Sequence, residues 1–568
     1  MIIKRDFLEI NLSSIEVRVK KIEQRLLDEY IAGPPLALRL FFDSITEDDD
    51  IHHENESIIF TTGLLSSLNL PGMNTLSSVF LTAKGNIDEA QVSGGFSECF
   101  RALPWNGFLI TGKADNPSVI VFDKNSVRII DIPQEINKNS LPHFFSELCG
   151  QAYEALCIPE NTHRENVTSV LKGMNNYSQY LTDTAGLAGA LAGKNIKALI
   201  IFKNEFNFKK CDISLGDSFK TQQIVKELVR RFSESYNLDS EPVFEEFNFI
   251  YEDSTIDGES PCSTCPMKCY SPKSHQYFER MPLPLTNDWL ALLSLEKSPI
   301  KALKIWKSLL DIGISPSQFS SIYEFLKKTI SESLECFDLN QLSVNSLIES
   351  LSTRKGEFRF LTEGIYNSGK KYNSFGRNAA KLIKNFELPA GYDIKSSSFL
   401  TLYSLVNVSR PRFPEILWLL FTKLYTQPFD IEESTLLYSV KSCISFIKYK
   451  SVLEILGFCN NLKTGITEKN LRTILSNIGL DFDYSKLVSA AKRGYYLKRI
   501  LNHKAKKFSF ESSSWSFFIK PCYFNDKNIF HDFQRLIFTF YTENGLDDFG
   551  FPKTDILKNL NMENMIWI

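Results

Sequence analysis

Three closely spaced cysteines are the residues of this sequence whose type and spacing point most directly to chemistry. Cys262, Cys265 and Cys269 form the C-x-x-C-x-x-x-C string CSTCPMKC. Thiolates this close together in one loop can bind a single metal centre, and they are the ligands that iron–sulfur clusters require. A cubane cluster needs a fourth ligand, and Cys459 in the string LEILGFC is the best candidate. If Cys459 completes the site, the fold has to bring two distant segments together.

Zinc is the main alternative for these cysteines. A structural zinc site is usually built from two close pairs of Cys or His, whereas this sequence has one triplet and no second close pair. Disulfides are disfavoured by the odd count of 11 cysteines in a chain without a secretory signal. An iron–sulfur cluster, a zinc ion and no metal at all remain open at this point. The other cysteines are scattered singly and are interpreted as small buried apolar residues: Cys99, Cys149, Cys157, Cys211, Cys336, Cys443 and Cys522.

Composition places the chain among ordinary folded proteins of several domains. Its 568 residues are too many for one hydrophobic core. Hydrophobic residues make up 43% and charged residues 23%, which is typical of a globular protein and not of a disordered one. The net charge of −3 gives no overall field that would attract nucleic acid or an anionic membrane. We therefore expect neither as a partner.

The sequence predicts a protein of the cytoplasm. The first residues, MIIKRDFLEINL, carry charges inside the apolar run and have no small-residue cleavage site, unlike a signal peptide. The most apolar stretches, residues 399–408 and 416–421, are shorter than the roughly 20 residues that span a bilayer. A reducing compartment also favours intact thiolate ligands.

The N-terminal part of the chain is predicted to be rich in strands. Short runs of β-branched and aromatic residues recur there between glycines and other turn residues. These runs cover residues 57–63, 78–85, 107–113, 118–123, 127–132 and 196–202.

From about residue 219 onward the pattern is predicted to become helical. Residues 484–495 show an apolar stripe at spacings of three and four, and residues 298–310, 316–328 and 553–559 have similar patterns. The cysteine triplet lies in a Ser-, Pro- and Gly-rich segment that we predict to be a loop between helical stretches. Free amides in such a loop can donate hydrogen bonds to cluster sulfurs.

The order of these segments resembles the aldehyde ferredoxin oxidoreductase family over nearly the whole chain. No single string is decisive, but the collinear series is specific, and it favours the cluster over zinc. Its members are TTGLLSS at 61–67, SGGFSECFRALPWNGFLITGKADNP at 93–117, GALAGKNIKALIIF at 189–202, the two cysteine strings, FELPAGYD at 386–393 and ENGLDDFGFP at 543–552.

The resemblance implies an α+β fold. An N-terminal β-sheet-rich domain of the pterin-binding type, residues 1–208, would be followed by two mainly α-helical domains. Residues 209–415 would carry the cysteine triplet, and residues 416–568 would carry Cys459.

The resemblance also implies cofactors and site residues. Cys262, Cys265, Cys269 and Cys459 would bind a 4Fe–4S cluster. The second cofactor of the family is a tungsten or molybdenum bis-pterin. Its pterins would be contacted by Gly94, Gly95 and Glu454, and Asp288 would be the catalytic acid/base.

The function implied by the resemblance is anaerobic oxidation of an aldehyde to a carboxylic acid. Electrons would pass singly through the cluster to ferredoxin or another electron carrier. A homo-oligomer, or an assembly with an active homologue, is the expected quaternary arrangement.

Several positions depart from the family pattern. In the first glycine-rich loop, AGPPLA, Pro34 stands at the arginine position, and in the second, DTAGLA, Thr184 does, after Asp183. An arginine fork suits a phosphate because it donates two hydrogen bonds at once. Val92 stands where the family has an asparagine, and Ser315, after Gly313 and Ile314, stands where it has an aspartate. The string SRPRFP at 409–414 lacks the histidine of the family. Arg410 and Arg412 in that string offer other cations. These changes leave an alternative function: a non-catalytic, cluster-bearing subunit that has lost the pterin and serves electron transfer or structure.

A basic segment at residues 492–507, KRGYYLKRILNHKAKK, is the remaining charged feature. We expect a solvated helix face there. A nucleic-acid face and a docking face for an acidic carrier such as ferredoxin are the alternatives.

Overall fold

The computed structural model describes most residues of the chain. They comprise 4–45, 57–203, 254–256, 262, 271–332, 343–353, 433–460, 483–505 and 527–565, with single residues between 361 and 406 and between 471 and 475. Short gaps inside these ranges fall at 67–71, 84, 134–140, 151, 161, 166–168, 177, 183–185 and 285.

The N-terminal region contains two six-stranded sheets. The first has the order β2-β1-β6-β3-β4-β5, and only its β1–β6 pair is parallel. Its strands are β1 (Asp6–Asn11), β2 (Glu16–Lys21), β3 (Ile58–Thr62), β4 (Leu76–Leu81), β5 (Ile87–Val92) and β6 (Gly107–Thr111).

The second sheet has the order β11-β10-β9-β12-β7-β8, and its β7–β12 pair is parallel. Its strands are β7 (Ser118–Phe122), β8 (Val127–Asp131), β9 (Tyr153–Cys157), β10 (Lys172–Asn175), β11 (Gln179–Leu181) and β12 (Ile196–Phe202).

The two sheets share a core that also includes helices α3 (Gly95–Phe100) and α5 (Leu187–Gly193). Alternate side chains of a strand point to opposite faces, so Phe60 faces this core while Ile59 faces away from it. Phe60 and Phe108 stack with ring centroids 4.4 Å apart. The aromatic packing between the sheets fixes the position of α3, whose first residues belong to the candidate site.

Helices cover the other face of the first sheet. They are α1 (Gln24–Tyr30) and α2 (Gly33–Asp43) with three C-terminal helices, α10 (Glu433–Leu456), α11 (Tyr484–Lys504) and α12 (Lys527–Glu543). The short helix α13 (Thr554–Asn559) packs on this group. Helix α4 (Leu141–Cys149) covers the outer face of the second sheet.

The middle of the chain forms a separate helical core. It is built from α6 (Thr286–Leu295), α7 (Pro299–Ile312), α8 (Pro316–Glu332) and α9 (Val344–Thr353). Helix α7 ends at Gly313, which has φ +69 and a backbone N–H that bonds into the last turn. Short strands pair before and after these helices: β13 (Thr255–Ile256), β14 (Pro272–His275) and β15 (Phe278–Pro282) in one sheet, and β16 (Leu382–Ile383) with β17 (Phe386–Glu387) in another.

The predicted α+β architecture is confirmed: a sheet-rich N-terminal part is followed by helices. The six predicted strand runs correspond to β3, β4, β6, β7, β8 and β12, and the four predicted helices correspond to α7, α8, α11 and α13. The proposed division into domains 1–208, 209–415 and 416–568 stays a prediction. Among the described residues, no helix combines the length and apolarity needed to cross a bilayer.

The surroundings of the cysteine triplet were predicted incorrectly. On the described flanks the segment lies between β13 and β14, not between helices, and these strands pair with each other. The strands are so short that they carry almost no period-2 signal, so the sequence pattern did not reveal them.

The basic segment was also interpreted incorrectly as a solvated face. Helix α11 is capped by Asp483, whose side chain accepts a hydrogen bond from the Ser485 amide, and most of the helix is buried. The Lys498 ammonium is buried 3.4 Å from a carboxylate oxygen of Glu89. The Arg499 guanidinium donates to the Gly550 carbonyl. Lys498 and Arg499 therefore join α11 to its neighbours.

Candidate metal and cofactor site

The end of helix α10 places Cys459. Gly457 has φ +90, which an L side chain rarely adopts, and the chain reverses there. The Phe458 amide donates to the Leu453 carbonyl (3.0 Å) and the Gly457 amide to the Glu454 carbonyl (3.1 Å). These two bonds form a Schellman motif, which satisfies carbonyls that a helix end otherwise leaves without partners.

The remaining carbonyls of this helix end accept hydrogen bonds from the loop after β3. The Leu64 amide donates to Ile455 (2.8 Å) and the Leu65 amide to Leu456 (3.2 Å). The approach is so close that a Cβ added at Gly63 would lie 2.2 Å from the Gly457 Cα. Only glycine fits at position 63. This close approach brings the segment with the string TTGLLSS against the segment with the string LEILGFC.

One loop, residues 72–75, contacts both described cysteines of the predicted cluster set. The Cys459 amide donates to the Gly72 carbonyl (2.7 Å), and the Thr75 amide donates to the Gly457 carbonyl (3.3 Å). The Asn74 Nδ2 donates to the Cys262 Sγ at 3.5 Å. Cys262 and Cys459 are both half-buried. The fold therefore brings one member of the triplet and the distant cysteine to the same short loop.

Cys265 and Cys269 lie outside the described residues. Within the described part of the chain there is no group of three or more Cys, His, Asp or Glu side chains placed to hold a metal ion. The two described thiols, with an amide donor directed at one of them, fit a thiolate-bound cluster in their chemistry. The assignment of the four ligands stays a prediction.

A buried ion pair lies at the C-terminal end of α3, and its arginine interacts electrostatically with Cys262; the sequence analysis did not identify it. The Arg101 Nη2 lies 3.1 Å from the Glu98 Oε1, and both side chains are almost fully buried. Burial lowers the pKa of Arg101, while the charges of Glu98 and Cys262 raise it. Lys4 donates to the backbone carbonyls of Arg101 and Leu103. The only signal in the sequence was the three-residue spacing of Glu98 and Arg101, which is common on helices.

The loop containing Gly94 and Gly95 packs against protein side chains. The Gly95 amide donates to the Tyr180 hydroxyl (2.8 Å), and a Cβ at Gly94 would lie 2.3 Å from the same oxygen. Ser97 closes the turn by donating to the Val92 carbonyl (2.7 Å). The Gly95 amide has no partner within helix α3, and it already donates to a protein hydroxyl.

A buried carboxyl group lies directly behind Gly95. A Cβ at that position would be 2.1 Å from the Glu154 Oε2. The Glu154 Oε1 accepts a hydrogen bond from Asn175 (3.1 Å) and lies 3.5 Å from the Lys203 ammonium. Burial raises the pKa of Glu154 to about 8, although Lys203 and Asn175 act in the opposite direction.

The first glycine-rich loop begins helix α2. Pro34 and Pro35 occupy its first turn, where a missing N–H is tolerated by the helix but removes donors that an anion would use. Gly33 has φ +62 and packs on the backbone of Glu454. The Glu454 carboxylate pairs with Lys450 at 3.2 Å. The cavity between them measures about 30 Å³, which is room for about two water molecules.

The remaining predicted positions are distributed as follows. Asp288 is half-buried in the first turn of α6, where the helix dipole favours a carboxylate. Ile314 is buried and forms a backbone bridge with Ser169. The Ser315 hydroxyl lies 2.8 Å from that of Ser317. Outside the described residues lie Asp183, Thr184, Arg410, Arg412 and the string at 409–414.

The described residues do not fit a bis-pterin. Phosphate groups of such a cofactor need unoccupied amides or cations. At one loop the Gly95 amide is bound to Tyr180 with Glu154 behind it. At the other, two prolines remove the donors.

Comparisons with known proteins agree with the fold. Residues 7–203 match the family model described as aldehyde ferredoxin oxidoreductase, N-terminal domain, and residues 310–562 match that described as domains 2 and 3. Two curated relatives are tungsten-containing aldehyde ferredoxin oxidoreductases, from Pyrococcus horikoshii and Thermococcus kodakarensis. Each is 20% identical, and in each case the match covers 88% of both chains.

A solved structure shares the whole fold. It is the active-site complex BamBC of benzoyl coenzyme A reductase with 1,5-dienoyl-CoA, which matches with a TM-score of 0.72 at 15% identity. The match covers 99% of this chain and 97% of the other. At this identity the likeness concerns the fold alone. With both family models matched in order along the sequence, this chain belongs to the aldehyde ferredoxin oxidoreductase family.

Proposed function

We propose that this chain is a redox protein that passes single electrons through a 4Fe–4S cluster bound by Cys262, Cys265, Cys269 and Cys459. The observation that carries the proposal is the loop 72–75, which contacts Cys262 through Asn74 and Cys459 through Gly72. A cluster bound there would accept and release one electron at a time.

The residues around the two thiols support this role. The Schellman turn at Gly457 and the hydrogen bonds from Leu64 and Leu65 hold Cys459 at a fixed position on rigid backbone. Asn74 supplies a donor to a cysteine sulfur, as expected for a thiolate that carries negative charge. A zinc site is less well matched, because the ligand pattern has no second close pair.

We further propose that the chain works without a pterin. The Gly95 amide is engaged by Tyr180, and the buried side chain of Glu154 fills the space directly behind Gly95. The chain would then serve as an electron-transfer subunit beside an active homologue or another redox enzyme. The proposed compartment is the cytoplasm, with ferredoxin or a similar carrier as the electron partner.

A second candidate is the activity named in the curated relatives, aldehyde oxidation at a tungsten or molybdenum pterin with transfer of electrons to ferredoxin. The full-length match to tungsten-containing relatives favours it. So does the half-buried Asp288 at the start of α6, the one carboxylate proposed to act as acid/base.

Elemental analysis separates the two candidates. The protein is purified without oxygen from a host supplied with tungstate and molybdate, and iron, sulfide, tungsten and molybdenum are counted per chain. About four irons and four sulfides without either heavy metal support the electron-transfer proposal. One tungsten or molybdenum per chain, with reduction of viologen by an aldehyde, supports the second candidate and overturns the pterin-free one.

A matched pair of variants tests the ligand assignment. Cys459→Ser is expected to lose the cluster's iron, because Ser is a poor substitute for a thiolate at iron. Cys149→Ser is the control, since Cys149 is also half-buried and free but lies in α4. Full iron content in Cys459→Ser contradicts the assignment.

A further inference from the structure

We propose that Asn74 and the buried pair Arg101–Glu98 set the reduction potential of the cluster from the side of Cys262, Asn74 by donating a hydrogen bond to the cysteine sulfur. This inference rests on the proposed cluster. It adds residues of the N-terminal sheet region to a site whose ligands all come from the later part of the chain.

The Asn74 amide is held in one orientation. The side chain is 2% exposed, and its Nδ2 lies 3.5 Å from the Cys262 Sγ. Its Oδ1 is buried and has no hydrogen-bond partner among the described residues. A hydrogen bond from this amide to a negatively charged thiolate is stronger than one to a neutral acceptor.

The backbone around Asn74 is fixed from both directions. The Gly72 carbonyl accepts from the Cys459 amide, and the Thr75 amide donates to the Gly457 carbonyl. The Thr75 hydroxyl lies 3.5 Å from that of Ser93, just before α3. These contacts fix the backbone that carries the Asn74 side chain and tie it to the segment that contains Cys459.

A hydrogen bond to a cluster ligand changes the energy of reduction. A cluster held by these cysteines would gain one negative charge on one-electron reduction by a reductant such as dithionite, with no proton or bond transferred. A donor directed at a ligand sulfur stabilises the more negative form and so raises the potential. Removing the donor is expected to lower it.

The ion pair also changes the reduction potential, through its charges. Arg101 interacts electrostatically with Cys262, and Glu98 partly offsets that positive charge. Both side chains are buried, so solvent ions screen them little. Neutralising Glu98 alone is expected to raise the potential, which is the opposite sign to the effect of removing the Asn74 donor.

The experiment is a potentiometric titration of anaerobic protein with dithionite, followed by electron paramagnetic resonance of the reduced cluster. For Asn74→Leu we expect the equilibrium constant of reduction to fall by up to roughly tenfold, the weight of one hydrogen bond, which for a one-electron couple is about 59 mV. Asn74→Asp, of the same size, is expected to lower the potential further. Glu98→Gln is expected to raise it.

The matched control is Asn106→Leu. Asn106 is also buried, also donates one hydrogen bond, to the Lys4 carbonyl (2.9 Å), and also has a buried Oδ1 without a partner among the described residues. It contacts neither cysteine, so its variant should keep the wild-type potential. If Asn74→Leu does not fold, the isosteric Asn74→Asp and Glu98→Gln carry the test.

The outcomes separate this inference from the proposed function. Wild-type protein without iron overturns both. A normal iron and sulfide count, with the potential unchanged in Asn74→Asp and in Glu98→Gln, overturns the inference and leaves the cluster in place. Shifts of opposite sign in those two variants, with none in Asn106→Leu, support it.

Discussion

Two regions of the molecule that approach the candidate site are built in different ways. The contact between the loop after β3 and the end of α10 is made by backbone, with hydrogen bonds between main-chain groups and two glycines, Gly63 and Gly457, in close approach. The contact at Gly94 and Gly95 is made by side chains, namely the Tyr180 hydroxyl and the Glu154 carboxyl.

The difference indicates how such a chain can diverge. A main-chain contact depends on few side chains, so the placement of Cys459 tolerates substitution nearby as long as the glycines remain. A side-chain contact changes with each substitution, and here it occupies the amide that an anionic cofactor would need. The cysteine region and the glycine loop can therefore have different fates in one fold.

The largest expected effect is in the backbone contact. Gly63→Ala places a Cβ 2.2 Å from the Gly457 Cα, and neither main chain can yield locally. We expect a loss of about 3 kcal/mol in the free energy of unfolding, together with loss of iron from the anaerobic protein. Urea unfolding followed by circular dichroism measures the first and iron analysis the second.

The control for this variant is Gly193→Ala. At that position the nearest atom would be the Arg164 Cβ at 3.4 Å, an ordinary contact. Its stability should stay within about 0.5 kcal/mol of wild type. Equal losses in the two variants would mean that the close approach of Gly63 to Gly457 is not what matters.

The buried carboxyl in the side-chain contact predicts a pH dependence. Burial raises the pKa of Glu154 from its ordinary value of 4.5 to about 8. Between these values the folded protein holds a proton that the unfolded chain has released, so stability falls as the pH rises through that window. The change between about pH 5 and about pH 8 is on the order of 2–3 kcal/mol.

Glu154→Gln should flatten that slope, whereas Glu147→Gln, at an exposed residue of α4, should leave it as in wild type. Urea unfolding across the pH series measures both. If Glu154→Gln keeps the wild-type dependence of stability on pH, that dependence comes from other groups.

A double-mutant experiment tests whether the contact at Gly94 and Gly95 depends on side chains. Gly95→Ala would bring a Cβ to 2.1 Å from the Glu154 Oε2. We expect a loss of about 1–3 kcal/mol. Because the clash is with the end of a side chain, adding Glu154→Ala should recover part of the loss, as a double-mutant cycle would measure. If the stability changes of the two single variants simply add in the double variant, the clash of Gly95→Ala is not with Glu154.

The smallest expected effect is that of Tyr180→Phe. The ring stays, and only the hydroxyl that accepts from the Gly95 amide is lost. Leaving that buried N–H without a partner should cost about 1–2 kcal/mol. The measurement is amide hydrogen exchange at Gly95, which should accelerate, while Tyr153→Phe, whose hydroxyl has no partner among the described residues, should not change it.

Much of the local structure follows from sequence. The runs that became β3, β4, β6, β7, β8 and β12 are short and rich in β-branched and aromatic residues, and turn residues bound them. The stripe beginning at Tyr484 predicted α11, but not that Lys498 and Arg499 would be buried in it. Charge in a sequence indicates exposure on average, whereas burial of a basic residue depends on which partners the fold supplies.

The sequence by itself determined the β-branched and aromatic strand runs, the helical stripes and the cysteine spacings, because each is a short-range property of the chain. Only the tertiary structure decided that Cys262 and Cys459 meet at the loop 72–75, and that Tyr180 and Glu154 close on Gly95. These contacts join residues far apart in the chain. They depend on the sum of packing and hydrogen bonding over whole sheets and helices, which no local pattern contains.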